Sequence, residues 1–135
     1  MRRFFTIAFL VALGSFAAAQ QASTAPRKGG NPEAAKRSNP VAATPESIAA
    51  GKRAYGQLCA NCHGPSGKGD GSGAGAGSQP ADLTDATWDY GSSDGDLFAV
   101  IHDGTSTDMG AYGERLKETD IWNVVNFVRT LAVKR

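Results

Sequence analysis

The feature that most constrains this chain of 135 residues is the run Cys59-Ala60-Asn61-Cys62-His63, which holds both of its cysteines. The two thiols are spaced one helical turn apart, so each can form a thioether to one vinyl group of a haem. The imidazole of His63 follows directly and can reach the iron of the same group. The run therefore predicts one covalent haem c, with Cys59 and Cys62 as linking residues and His63 as an axial ligand.

Three other uses of a cysteine pair fit the sequence less well. A redox-active dithiol favours a βαβ setting, and no segment alternates as a strand does. A zinc site needs more ligands, whereas the chain has one further histidine, His102, and no further cysteine. A plain disulfide, which is the default in an oxidising compartment, leaves the adjacent His63 without a role.

A six-coordinate iron needs a second axial ligand, and we expect it to be Met109, the only methionine beyond the first residue. Met109 lies in a predicted loop just before the last helix, which lets the chain return to the far side of a bound haem. A thioether sulfur is a soft ligand that favours reduced iron. The alternatives are that His102 is the ligand, or that Met109 only fills a gap in the core.

The first 44 residues are predicted to lie outside the folded domain. Residues 1–19 show a basic head, an apolar run and three final alanines, which is the order of a cleaved secretory signal peptide. An uncleaved membrane anchor is the alternative. Residues 20–44 carry few large apolar side chains, so they predict a flexible, low-complexity tether. We expect export to the periplasm, with the domain in residues 45–135.

Three or four short helices and no strand are predicted in that domain, and three of the helices can be placed. The first begins at the N-cap Thr44 and runs over 45–58, because Pro45 suits the first helical position. The second covers 94–102, which is followed by the stop signal Gly104. The last begins after Lys117, a poor N-cap, and repeats its apolar residues at helical spacing.

Residues 64–77 contain seven glycines in fourteen positions and predict a loop. Neither phosphate-binding pattern fits this loop, because it has no G-x-G-x-x-G and Lys68 is followed by glycine. From residue 45 onward the chain has eight basic and twelve acidic residues, which argues against nucleic acid as a partner. No nucleophile, general base or substrate cleft is evident, so we expect neither an enzyme nor a small-molecule substrate.

Four features together resemble class I c-type cytochromes, and among them the small bacterial monohaem kind. They are the Gly51-x-x-x-Tyr55 helix, the haem motif followed by Gly64, the loop 109–113 and the stretch 121–129 of the last helix. The resemblance covers residues 45–131. It implies an all-α fold of three to four short helices wrapped around one haem. It also implies that the first and last helices cross, near Gly51, Tyr55, Val124 and Phe127.

The same resemblance implies a function and further site residues. His63 and Met109 become the axial pair, and the carbonyl of Pro80 is the candidate acceptor of a hydrogen bond from the histidine ring. The chain becomes a one-electron carrier between redox proteins, with a respiratory oxidase or dehydrogenase among the candidate partners. Gly110 stands where the family commonly has proline and makes the ligand loop more flexible. A haem-based sensor, a peroxidase-like enzyme or a subunit of a larger redox complex are the alternatives.

Overall fold

The computed structural model describes residues 23–106 and 108–132. In these two ranges the chain forms five helices and no strand: α1 (Pro32–Ala35), α2 (Pro45–Leu58), α3 (Ala60–His63), α4 (Asp94–Asp103) and α5 (Glu118–Leu131). No described helix combines the length and the apolar character that crossing a membrane requires. The signal peptide predicted for residues 1–19 lies outside the described residues.

The three long helices begin where the sequence predicted them. The Thr44 side chain accepts a hydrogen bond from the N–H of Ser47 and caps α2. At α4, Ser93 and Asp96 form a reciprocal capping box, which was not predicted from the sequence. Lys117 precedes α5 and makes no side-chain capping bond, which agrees with the low rank of lysine at this position.

Helices α2 and α5 cross at Gly51, as the resemblance implied. A Cβ at Gly51 would overlap the carbonyl oxygen of Asn123 and lie 2.5 Å from its carbonyl carbon. One turn on, the rings of Tyr55 and Phe127 meet with their centroids 5.1 Å apart and tilted by 56°. The buried Val124 completes the contact. Only glycine allows the two backbones to approach this closely.

The core extends from this crossing to α4. Phe98 of α4 stacks on Trp122 of α5 with a centroid separation of 4.3 Å. Both side chains are at most 2% exposed. The apolar stripe of α5 therefore faces α2 on one side and α4 on the other, which explains why this helix has the strongest helical pattern in the sequence.

Residues 31–37 pack against α4, and this differs from the flexible tether predicted for 20–44. Asn31 is 2% exposed, and its N–H donates to Oδ1 of Asp96 at 3.0 Å. The guanidinium carbon of Arg37 lies 3.9 Å from the centroid of the Phe98 ring. Ala34 is 1% exposed. A buried backbone N–H and a cation stacked on Phe98 order this part, so it packs without large apolar side chains of its own.

Residues 39–41 are held against α5 by the side-chain amide of Asn126. The Nδ2 of Asn39 donates to Oδ1 of Asn126 at 2.8 Å. In return, the Nδ2 of Asn126 donates to the carbonyl of Val41 at 3.0 Å and to Oγ of Ser47 at 2.8 Å. Asn126 is 5% exposed. The chain is thus packed against the helices well before residue 45.

Candidate functional site

Of the predicted attachment residues, Cys62 lies on α3 and Cys59 is the one residue between α2 and α3. The N–H of Cys59 donates to the carbonyl of Tyr55 at 2.8 Å, so it still belongs to the bonding pattern of α2. Its own carbonyl accepts from the N–H groups of Cys62 and His63 at 3.1 and 2.9 Å. Both cysteines are half-buried and form no disulfide. Helical backbone thus gives the two thiols the spacing that a pair of thioethers requires.

The environment of Cys59 argues against a reactive dithiol. Burial, with a smaller contribution from the neighbouring Cys62, raises the pKa of the Cys59 thiol to about 11. Catalytic and redox-active thiols have lowered pKa values, because the thiolate is the reactive form. At neutral pH the free Cys59 thiol therefore stays protonated.

The ring of His63 is oriented by a backbone carbonyl. Its Nδ1 lies 3.1 Å from the carbonyl oxygen of Ala81. When Nδ1 carries the proton and donates it to this oxygen, the lone pair of Nε2 is available to a metal. The resemblance implied the carbonyl of Pro80, which is wrong by one residue. The Pro80 carbonyl instead faces Gly69, where a Cβ would overlap it.

The glycine-rich loop lies along α3 and donates hydrogen bonds to the carbonyls of this helix. Three alternate glycines donate their N–H groups to carbonyls of α3: Gly69 to His63 at 2.8 Å, Gly71 to Cys62 at 3.1 Å and Gly73 to Asn61 at 2.8 Å. The last carbonyls of a helix have no partner within it. The sequence predicted a loop here but not this contact, because its signal is only the spacing of every second glycine.

Tyr55 joins α2 to the residue after the haem motif. Its hydroxyl donates to the carbonyl of Gly64 at 2.7 Å, and its side chain is 2% exposed. Gly64 has a φ of 78°, a left-handed conformation in which glycine is favoured. Burial, followed by the nearby Cys59 and Asp70, raises the pKa of Tyr55 to about 12. The phenol is therefore a neutral donor at all ordinary pH values.

Met109 lies half-buried in the loop between α4 and α5. Its carbonyl accepts from the N–H of Thr105 at 2.9 Å, which closes the loop near the end of α4. Three residues after Met109, the hydroxyl of Tyr112 donates to the carbonyl of Leu58 at 3.2 Å. Leu58 directly precedes Cys59, so this loop is tied to the attachment helix. Coordination by Met109 stays a prediction.

The alternative ligand, His102, already has neighbours at both ring nitrogens. Its Nδ1 lies 2.6 Å from Oδ1 of Asp103. Its ring stacks on Phe98 with centroids 5.4 Å apart, and a Cβ at Gly113 would lie 2.6 Å from Nε2. In the described parts of the chain, no group of three or more His, Cys, Asp or Glu side chains could hold a metal ion.

Comparison with known proteins gives one matching family. The family model described as cytochrome c oxidase, cbb3-type, subunit III matches residues 46–128. The Cbb3-type cytochrome c oxidase subunit FixP of Azorhizobium caulinodans is 37% identical over 81 residues, which are 60% of this chain and 26% of that protein. The chain thus spans about a quarter of the length of this curated relative.

Two solved structures are also similar. The reducing HAO-like protein complex of Kuenenia stuttgartiensis matches 70% of this chain and 47% of its own, with 29% identity and a TM-score of 0.65. Cytochrome cL of the marine methylotroph Methylophaga aminisulfidivorans matches 76% of this chain and 59% of its own, with 26% identity and a TM-score of 0.56.

Proposed function

The chain belongs to the family described as cytochrome c oxidase, cbb3-type, subunit III, and from this premise we propose that it is a periplasmic one-electron carrier with a single haem c. It is a class I c-type cytochrome, in sequence and in fold. In the proposal, Cys59 and Cys62 form the two thioethers, and His63 and Met109 are the axial ligands. The bound haem supplies the chemistry, because its iron exchanges one electron between the ferric and ferrous states.

The observation that carries the proposal is the arrangement around His63. Its Nδ1 points at the carbonyl of Ala81 at 3.1 Å, which leaves Nε2 as the ligating nitrogen. The two free thiols lie on the same helical backbone, which continues from α2. A donor set of two cysteines and an oriented imidazole within five residues fits covalent haem c.

Met109 is favoured as the second ligand because His102 is engaged elsewhere. His102 pairs with Asp103 and stacks on Phe98. The Met109 loop, by contrast, is bonded to α2 beside the haem motif through Tyr112. In the proposal the iron keeps both ligands in both oxidation states. Little structural rearrangement then accompanies electron transfer, which suits an electron carrier rather than an enzyme.

The partners in this proposal are larger redox proteins. The similarity to an oxidase subunit supports a respiratory oxidase as one of them, and a dehydrogenase is the alternative. Transient electron-transfer contacts bury little surface, so we expect a weak complex. Co-elution of the purified chain with a membrane oxidase would instead make it a permanent subunit of that complex.

The test is the spectrum of the exported full chain, produced in a host that matures c-type cytochromes. We expect one haem per chain by the pyridine haemochrome assay and a methionine-to-iron charge-transfer band in the ferric form. The double variant Cys59→Ala with Cys62→Ala should lose all haem that resists acid-acetone extraction. A colourless wild-type protein would contradict the proposal.

The matched pair Met109→Ala and His102→Ala decides the second ligand. Met109→Ala should give a high-spin iron that binds carbon monoxide, with a lowered reduction potential, since the thioether favours reduced iron. His102→Ala should keep the charge-transfer band. The opposite result would assign the ligand to His102. Rapid carbon monoxide binding by the wild type would favour the sensor or peroxidase-like alternatives.

A further inference from the structure

The segment between α3 and α4 begins with two arms that contact each other. The first arm is residues 67–73, and the second is residues 80–83. The N–H of Leu83 donates to the carbonyl of Gly67 at 2.6 Å and closes one junction. At the other, a Cβ on Gly69 would overlap the Pro80 carbonyl oxygen and lie 3.2 Å from its carbon. The two arms are therefore joined at two points.

Each arm holds a different part of His63. The first arm reaches the backbone of His63 through the N–H of Gly69 at 2.8 Å. The second reaches the ring, since the Ala81 carbonyl lies 3.1 Å from Nδ1. The ring bond depends on the first arm, because the junctions at Gly67 and Gly69 fix where the second arm lies.

The closer a residue of the first arm lies to α3, the less space there is for a side chain in place of glycine. We call Gly69, Gly71 and Gly73, the three donors to α3, the glycine ladder. A Cβ on Gly71 would lie 2.6 Å from the carbonyl oxygen of Cys62, which is rigid backbone. The three atoms nearest to a Cβ on Gly73 would all belong to the side chain of Asn61, which can rotate away. A Cβ on Gly75 would have no neighbour within 4 Å.

We propose that the glycine ladder is a positioning element for His63 that fixes the bond from its ring to the Ala81 carbonyl and so sets the reduction potential of the iron. The proposal rests on the proposed function, because it concerns a haem-bound chain. A hydrogen bond from Nδ1 to a carbonyl raises the basicity of a ligating imidazole. A more basic ligand stabilises the ferric state, so weakening this bond should raise the potential.

The experiment compares four holoproteins by redox titration: wild type, Gly71→Ala, Gly73→Ala and Gly75→Ala. In Gly71→Ala the ratio of ferrous to ferric should rise by up to tenfold at a fixed potential, which is about 59 mV for one electron. Gly73→Ala should show a smaller rise, and Gly75→Ala should equal the wild type. The Nδ1 proton of His63 should exchange faster with solvent in ferrous Gly71→Ala, as followed by NMR.

The outcomes separate this proposal from the proposed function. A wild type without covalent haem overturns both. A haem-bearing wild type, with Gly71→Ala equal to Gly75→Ala in potential and in Nδ1 proton exchange, overturns the ladder alone. A loss of stability with both readouts unchanged also overturns it, because the ladder would then be merely structural. If Gly71→Ala yields no holoprotein, fast exchange of the Gly71 amide in the wild type would overturn it and slow exchange would support it.

Discussion

The crossing of α2 and α5 gives the sharpest test of the fold, because one methyl group at Gly51 should act against a rigid neighbour. An alanine there places its Cβ 2.9 Å from the Cβ of Phe127 and 2.5 Å from the carbonyl carbon of Asn123. Ordinary van der Waals contact between carbons begins near 3.5 Å. The carbonyl is part of α5 and cannot rotate away, so the helices must separate.

The size of the effect follows from two opposing contributions. Overpacking a tight contact costs about 1–3 kcal/mol, and a collision with backbone belongs at the upper end. Alanine is favoured over glycine inside a helix by about 1 kcal/mol. Gly51→Ala should therefore lower the free energy of unfolding by about 2 kcal/mol. In a domain near 100 residues, a change of this size lowers the melting temperature by roughly 10 °C.

Gly56 on the same helix is the matched control. A Cβ at Gly56 has no neighbour within 4 Å, and the residue is exposed. Gly56→Ala should therefore raise the free energy of unfolding by about 1 kcal/mol through helix propensity alone. Thermal and guanidinium unfolding of the holoproteins, followed by circular dichroism, measures both variants. If Gly51→Ala matches Gly56→Ala, the close approach of the two helices is refuted.

Three further variants test contacts around this core, each by the same unfolding measurements. Tyr55→Phe removes the donor to the Gly64 carbonyl and should cost about 1 kcal/mol, because the carbonyl keeps only its longer bond from the N–H of Gly67 at 3.2 Å. Burial raises the pKa of Tyr55 from 10.0 to about 12. Its stabilisation is therefore complete below pH 10 and is lost as the pH approaches 12, so wild type should lose more stability than Tyr55→Phe over that range. Asn126→Ala should cost about 2–3 kcal/mol, since it removes the bonds that its buried amide makes to Asn39, Val41 and Ser47, and an unchanged stability would exclude docking of residues 39–42. Arg37→Ala should cost about 1 kcal/mol through loss of its aromatic contact, and equal stability in both proteins would mean that this segment is detached in solution.

The parts of the fold that the sequence predicted depend on local patterns. Thr44-Pro45 marked the start of α2, and Gly104 marked the end of α4, because capping chemistry is written in adjacent residues. The crossing at Gly51 was inferred from resemblance, and the structure gives its cause in the contact with Asn123. The haem motif could be recognised in the sequence for the same reason, since all of its functional residues lie within five positions.

The parts that the sequence did not predict depend on contacts distant in the chain. Asn31 meets Asp96 across 65 positions, and Asn39 meets Asn126 across 87. Single amides carry no hydrophobic pattern, so composition alone indicated a flexible tether. The predicted register of the second arm, residues 80–83, was wrong for a similar reason. Whether Pro80 or Ala81 faces His63 is set by the packing of the Pro80 carbonyl on Gly69.

The helix crossing and the haem motif are parts of one arrangement. Because the N–H of Cys59 still bonds to Tyr55, the motif continues from α2 with no flexible residue between them. The hydroxyl of Tyr55 then holds Gly64 on the far side of the motif, so Tyr55 brackets it from both ends. Any shift of α2 relative to α5 at Gly51 is therefore carried into the position of His63. Gly51→Ala should change the ferric absorption spectrum and lower the stability. Gly56→Ala should leave the spectrum unchanged without lowering the stability, because its added methyl group faces away from every described contact.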